Sequence, residues 1–218
     1  VDSIYIGHIK DVGSYAISGL AVTFPLMNLA TALGTLVGVG ASTILSMLLG
    51  QKNYEVANKV LLNEVMLNII IGVLFSVVTL AFLDPILIFF GASQNTLPFA
   101  RDYMLIILIG NVMTHLYFGL NNMIRASGNP KLAMGLTIFT VVSNTIMDPI
   151  FIFVLDMGIK GAALATVLCQ LLALLYTLKY FLNQENYLHL PRHIRDYSLD
   201  LRIAKDALTI GMGPFLMN

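Results

Sequence analysis

The chain has 218 residues, 57% of them hydrophobic and 11% charged, with a mean hydropathy of +0.83. A soluble domain carries about 25% charged residues, so the composition excludes an ordinary water-soluble domain and predicts an all-α, polytopic transmembrane helix bundle. Lys and Arg balance Asp and Glu at 12 each, which leaves no basic surface to attract nucleic acid.

In chain order, Val1–Ile9 reads as the last turns of a first helix that carries Asp2, with a turn at Lys10–Gly13. Ser14–Leu49 is a second helix of about 54 Å at 1.5 Å per residue, longer than a roughly 30 Å hydrocarbon core. Its Gly34, Gly38 and Ala41-Ser42 form a small-residue face suited to close helix contact. Pro25 should kink this helix or lie in its outer part. A polar loop, Gly50–Asn58, leads to a third span, Val60–Leu83, with Glu64 just inside its start and expected to be interfacial and solvated. Asp84–Pro98 contains an apolar piece too short to cross. Tyr103–Ile124 is the fourth span; its His115 is expected to be a packed, hydrogen-bonded helix residue rather than a ligand. RASGNP, from Arg125 to Pro130, is a turn.

The fifth span, Ala133–Leu155, is the centre of the functional reading. It carries Asn144 and Asp148 one turn apart on one face, with Pro149 directly after. An Asp near the middle of a span costs roughly 2.5–3.5 kcal/mol on insertion scales and normally faces a partner, a cavity or an ion path. Pro149 removes a backbone donor, leaves the Thr145 carbonyl without its helical partner and makes a candidate hinge. The plainer alternative is that Asp148 marks a helix end. After the turn DMGIK, Gly161–Leu182 is the sixth span. Its lone cysteine, Cys169, reads as a small buried hydrophobe. Asn183–Asp200 is the longest polar segment; Pro191 between His189 and His193 argues against a helical metal pair. A seventh apolar segment starts at Leu201. The expected organisation is a six-helix lobe over 1–200, with the first helix truncated, and the start of a seventh helix over 201–218. A start at Val1 and an end inside an apolar segment suggest a piece of a longer protein.

The basic residues set an orientation. Lys52, Lys59, Arg125, Lys131, Lys179, Arg192, Arg195, Arg202 and Lys205 flank one side; Lys10, Arg101 and Lys160 flank the other. The richer side is expected to be cytoplasmic. Asp2 then lies about 12 Å below the outer end of the first helix, Asp148 about 10–12 Å and Thr166 about 9 Å below theirs, with Asn144 a turn deeper. Two of these four oxygen-bearing side chains are acids. Two carboxylates in a low dielectric repel, so one holds a proton or a small cation sits between them. That is the chemistry of a coupling site for H⁺ or Na⁺; in the alternative the helices do not converge and each acid faces its own water. Phe24, Met27, Met113 and Tyr117 could line an adaptable cavity, or serve as core and lipid-facing residues.

VDSIYIGHI with Asp2 and Gly7, the Gly-rich second helix ending LLGQ, RASGNPK, SNTIMDPIFIF from Ser143 to Phe153 and GIKGAALATVLCQ from Gly158 to Gln170 together resemble the MATE (multidrug and toxic compound extrusion) transporters. The resemblance covers essentially the whole chain. It implies a twelve-helix fold in two lobes, of which this sequence is the N-terminal lobe and the start of helix seven. It also implies that Asp2, Asn144, Asp148 and Thr166 form the N-lobe cation site.

The resulting expectation is a secondary antiporter, not an enzyme, in the cell membrane, the inner membrane of a bacterium. It would export amphiphilic or cationic drugs in exchange for H⁺ or Na⁺, with membrane lipid as its other partner, no nucleic acid and no cofactor beyond the coupling ion. A lipid-linked oligosaccharide flippase of the same wider superfamily would need basic residues inside its cavity to hold a pyrophosphate, and the spans have none near their middles. A non-transporting scaffold is at odds with paired buried acids. The sequence has no HExxH motif, GxSxG elbow or Gly-rich phosphate loop.

Overall fold

A computed structural model describes residues 2–9, 13–191 and 198–217. Lys10, Arg192, His193 and Arg195, which entered the orientation and metal-pair arguments, lie outside the described residues. The helices are α1 (Asp2–Ile6), α2 (Gly13–Gly50), α3 (Tyr54–Ala81), α4 (Leu83–Phe89), α5 (Leu97–Ala126), α6 (Pro130–Pro149), α7 (Ile159–Leu182) and α8 (Leu201–Met217). A wider π-helical winding, Ile150–Val154, continues α6 directly after Pro149. Among the described residues five helices are long and apolar enough to cross a membrane: α2, α3, α5, α7, and α6 with its π extension. They are the expected second to sixth spans. The first is represented by α1, the seventh by α8, and α4 is the short piece that cannot cross.

Two span starts differ from expectation. α3 begins at Tyr54, not Val60, because the Asn53 side chain accepts a hydrogen bond from the Val56 amide at 3.3 Å and caps the helix there. α5 begins at Leu97, not Tyr103, with Pro98 in its first turn, where a missing N–H costs nothing. In both cases charged residues sit in the first turns of a helix. Glu55 pairs with Lys59 at 3.1 Å, and Arg101 and Asp102 pair with Asp84 at 3.4 Å and Lys160 at 3.3 Å.

α5 is the central post. It packs against α2, α3, α6 and α7, while α8 lies along α2. The α2 small-residue face makes this possible. A Cβ at Gly38 would stand 2.8 Å from Asn122 Nδ2 and 3.1 Å from the Gly119 Cα, so the two helices meet nearly backbone to backbone. A second contact was not anticipated: Gly40 faces the Ala207 carbonyl of α8, and Gly211 faces the Leu36 carbonyl of α2. α2 runs as one helix through Pro25.

One core cluster, including Leu61, Tyr117, Leu120, Ile124 and Phe181, fills the end of the bundle where α5 finishes. Another, including Ile6, Leu20, Leu87, Met104 and Ala162, fills the end where it starts. The outside stays apolar: Leu74, Val77, Ile109 and Ile146 are 58–73% exposed. Such a continuous apolar surface suits hydrocarbon, not water.

Candidate cation site

α1, α5, α6 and α7 meet near the start of α5. Asn144 and Asp148 project from the same face of α6, and the Asn144 amide nitrogen donates to Asp148 Oδ1 at 3.1 Å. The same nitrogen donates to Thr166 Oγ1 of α7 at 3.1 Å. The Thr166 hydroxyl donates to Asp2 Oδ2 of α1 at 3.1 Å. All four expected residues therefore lie in one hydrogen-bonded chain linking three helices. Tyr103 of α5 closes it from a fourth element, its hydroxyl donating to Asp2 Oδ2 at 3.0 Å.

Asp148 and Tyr103 are buried, whereas Asp2, Asn144 and Thr166 are half-buried. Asp148 is the penultimate residue of α6, and the helical path continues past it into the π winding. Its carboxyl interacts with that of Asp2, while its Oδ2 has no partner in hydrogen-bond geometry. An orphaned buried carboxylate oxygen beside a second carboxyl is an unmet demand for positive charge. The donor set suits a small hard cation: two carboxyls, two hydroxyls and an amide whose oxygen reaches inward if the side chain flips. A proton shared by the two acids meets the same demand. Among the described residues there is no cluster of three His, Cys, Asp or Glu side chains for a transition metal.

Asp2, Tyr103, Asn144 and Thr166 form part of the wall of a cavity of 370 Å³, while Asp148 is not among its lining residues. Phe24, Met27 and Tyr117 line it, as the cavity reading anticipated; Met113 is not among its lining residues. Gln170, at the cavity edge, is held by the Thr114 hydroxyl at 2.5 Å. Cys169 is buried, its thiol 3.5 Å from the Met147 sulfur. His189 Nδ1 lies 3.1 Å from the Asn186 carbonyl oxygen.

Tyr103 was missed because it stood at the expected start of its span, where a tyrosine is an ordinary interfacial residue. With α5 starting at Leu97, it lies about 9 Å along the helix. Glu64 is a correction. Expected at the interface and solvated, it is fully buried. Because α3 starts at Tyr54, Glu64 is about 15 Å inside the helix, and its side chain fills the space above Gly119. His115 is buried as expected but not hydrogen-bonded as expected: neither ring nitrogen has a partner in hydrogen-bond geometry.

A membrane-embedded helix bundle with Asp2 on the wall of a cavity and Asp148 buried behind it has the form of a membrane transporter. The MatE family profile matches residues 1–150, and the chain belongs to that family. It is similar to the multidrug export protein MepA of Staphylococcus aureus strain MSSA476, 32% identical over 221 residues, covering 98% of this chain and 47% of the relative. The MepA of Staphylococcus haemolyticus is 32% identical over 213 residues, with 98% and 46% covered. Two solved structures of a multidrug resistance MATE family transporter of the MOP superfamily match at 26% identity. The inward-facing one has a TM-score of 0.91, covering 99% of this chain and 48% of that one. The outward-facing one has 0.89, with 99% and 47% covered. The chain thus spans about half the length of the relatives it matches, as a multi-pass membrane protein.

Proposed function

We propose that the protein carrying this sequence is an antiporter that expels amphiphilic, often cationic, organic compounds in exchange for inward H⁺ or Na⁺. One observation carries the reading: the Asp2–Thr166–Asn144–Asp148 chain joins three helices, and its Asp2, Thr166 and Asn144 line a cavity large enough for part of a drug-sized molecule. A proton or Na⁺ arriving there neutralises one carboxyl, removes the repulsion between Asp2 and Asp148 and draws α1 toward α6. Pro149, where α6 passes into the π winding, is the point at which the helix bends and reshapes the cavity. The printed names of the relatives, multidrug export proteins, support the substrate class.

The lipid-linked flippase is the weaker reading. Among the described residues no Lys or Arg lines the cavity, so nothing there would hold a pyrophosphate.

The orientation that follows from the basic residues puts the Lys52 loop and the 183–200 segment in the cytoplasm. Single-cysteine labelling in a Cys169-free background checks it, and labelling of both by an impermeant reagent in intact cells would reverse it. The test of the function is efflux from proteoliposomes of the intact protein, with H⁺ and Na⁺ gradients imposed separately. Efflux driven by one of them supports antiport and identifies the ion. Efflux indifferent to both removes the proposal.

A further inference from the structure

The contact between α3 and α5 holds a second set of buried polar groups that the transport reading leaves unused. Glu64, Asn68, Gly72 and Ser76 follow one another at four-residue intervals along α3 and so share one face. α5 runs antiparallel and sets Gly119, His115 and Asn111 against them. The Glu64 carboxyl and Asn68 amide occupy the place where a Gly119 side chain would stand, and a Cβ on Gly72 would lie 3.4 Å from His115 Nδ1. Glu64, Asn68 and His115 are 0% exposed.

Half of this seam is satisfied. Ser76 donates to the Leu108 carbonyl at 2.9 Å, and Asn111 Nδ2 donates to the Gly72 carbonyl and Ser76 Oγ, each at 3.2 Å. The other half is not. Asn68 Nδ2 donates to Glu64 Oε1, which leaves Glu64 Oε2 and Asn68 Oδ1 without partners. These two atoms are the free ends of two planar groups already joined by one hydrogen bond. With Glu64 ionised both are acceptors, and neither can satisfy the other. A single proton on Oε2 turns it into a donor, the change that lets it pair with the acceptor Oδ1. The result is a neutral carboxylic acid–amide pair.

Among the described residues no neighbouring element offers a cation instead. α2 carries no Asp, Glu, Lys, Arg or His from Gly13 to Gly50. Lys59 on α3 is exposed and paired with Glu55. On α5, Arg125 is exposed and Arg101 pairs with Asp84 of α4. On α7, Lys160 pairs with Asp102 and Lys179 is exposed. Lys131 of α6 is exposed, as are Arg202, Lys205 and Asp206 of α8. His115, one turn along α5 from Gly119, is the other titratable group in the seam; the Ala30 carbonyl of α2 interacts with its ring, short of hydrogen-bond geometry.

We infer that Glu64 and Asn68 form a second proton-binding site, separate from the Asp2–Asp148 cluster. Gly119 and Tyr103 are 16 positions apart on α5, so the two sites stand about 24 Å apart along the bundle. The proton at Glu64 keeps α2, α3 and α5 in contact. Its loss puts a bare carboxylate against Gly119 at a fully buried position.

The experiment is infrared spectroscopy of the intact protein in liposomes, with pH varied at fixed Na⁺ and Na⁺ varied at fixed pH. The site requires a protonated-carboxyl C=O stretch at neutral pH that is lost in Glu64→Gln and shifted in Asn68→Leu. It must also persist in the Asp2→Asn/Asp148→Asn double variant, so that it stands or falls apart from the antiport reading. Should Glu64→Gln not fold, the Asn68→Leu shift decides. Retention of every such band in Glu64→Gln, or no shift in Asn68→Leu, overturns the inference. Loss of the band on adding Na⁺ at fixed pH overturns it in favour of a sodium site.

Discussion

α5 carries a buried carboxyl centre near each end, and the two are built on opposite plans. Near its start, α1, α5, α6 and α7 each contribute one or two side chains, and three of the four hydrogen bonds run between helices. That centre faces a cavity. Near its end, the carboxyl and its amide partner come from α3 alone, one turn apart, and are sealed by Gly119 and Gly38. A charge change in the first alters how separate helices hold each other beside an accessible space. A charge change in the second alters a buried contact between α3 and α5, away from the cavity. A carboxyl that links helices at a cavity wall is suited to coupling; one held within a single helix is suited to packing.

The largest effect that sharpens this contrast is expected from Asp148→Asn. The amide matches the carboxyl in size, so folding and drug binding stay largely intact, while gradient-driven efflux falls to background. A size-exclusion profile, drug-binding measurements and proteoliposome efflux together check it. Gly119→Leu should do the reverse. Its side chain would fall on the Glu64 carboxyl and Asn68 amide, and overpacking of this kind costs about 1–3 kcal/mol. The apparent melting temperature should drop, with efflux lost only in proportion to folded protein; Gly38→Leu, aimed at Asn122 and Gly119 from the α2 side, should behave alike. Unchanged melting of both would break the claim that this end is a sealed contact. A smaller effect is expected from Tyr103→Phe, which removes one hydrogen bond to Asp2, a change of about 0.5–1.5 kcal/mol. Efflux should then need a several-fold different cation concentration for half-maximal rate, with the fold unchanged. An unaltered cation dependence would remove Tyr103 from the site.

The two centres were not equally legible in the sequence. Asn144 and Asp148 announce themselves because they interrupt an apolar run at helical spacing, and depth counting joined Asp2 and Thr166 to them. Tyr103 and Glu64 escaped for one shared reason. Lys59 with Glu55, and Arg101 with Asp102, look like the water-facing end of a span. In the fold each pair rides the first turns of a helix that begins earlier, capped by Asn53 or opened by Pro98. Hydropathy alone cannot separate a charged loop from a charged first turn, because both project beyond the hydrocarbon. The α2–α8 contact was hidden for another reason: Gly40 and Gly211 are complementary only once both helices exist.

The central claim is that Asp2 and Asp148 are one coupling unit. Its most direct test is gradient-driven efflux by Asp2→Asn, Asp148→Asn and the double variant, each reconstituted at matched amounts of folded protein. If the pair is one unit, each single variant loses coupled efflux and the double variant is little worse than either. Full gradient-driven transport by Asp148→Asn, or losses in the two single variants that multiply in the double, would contradict it.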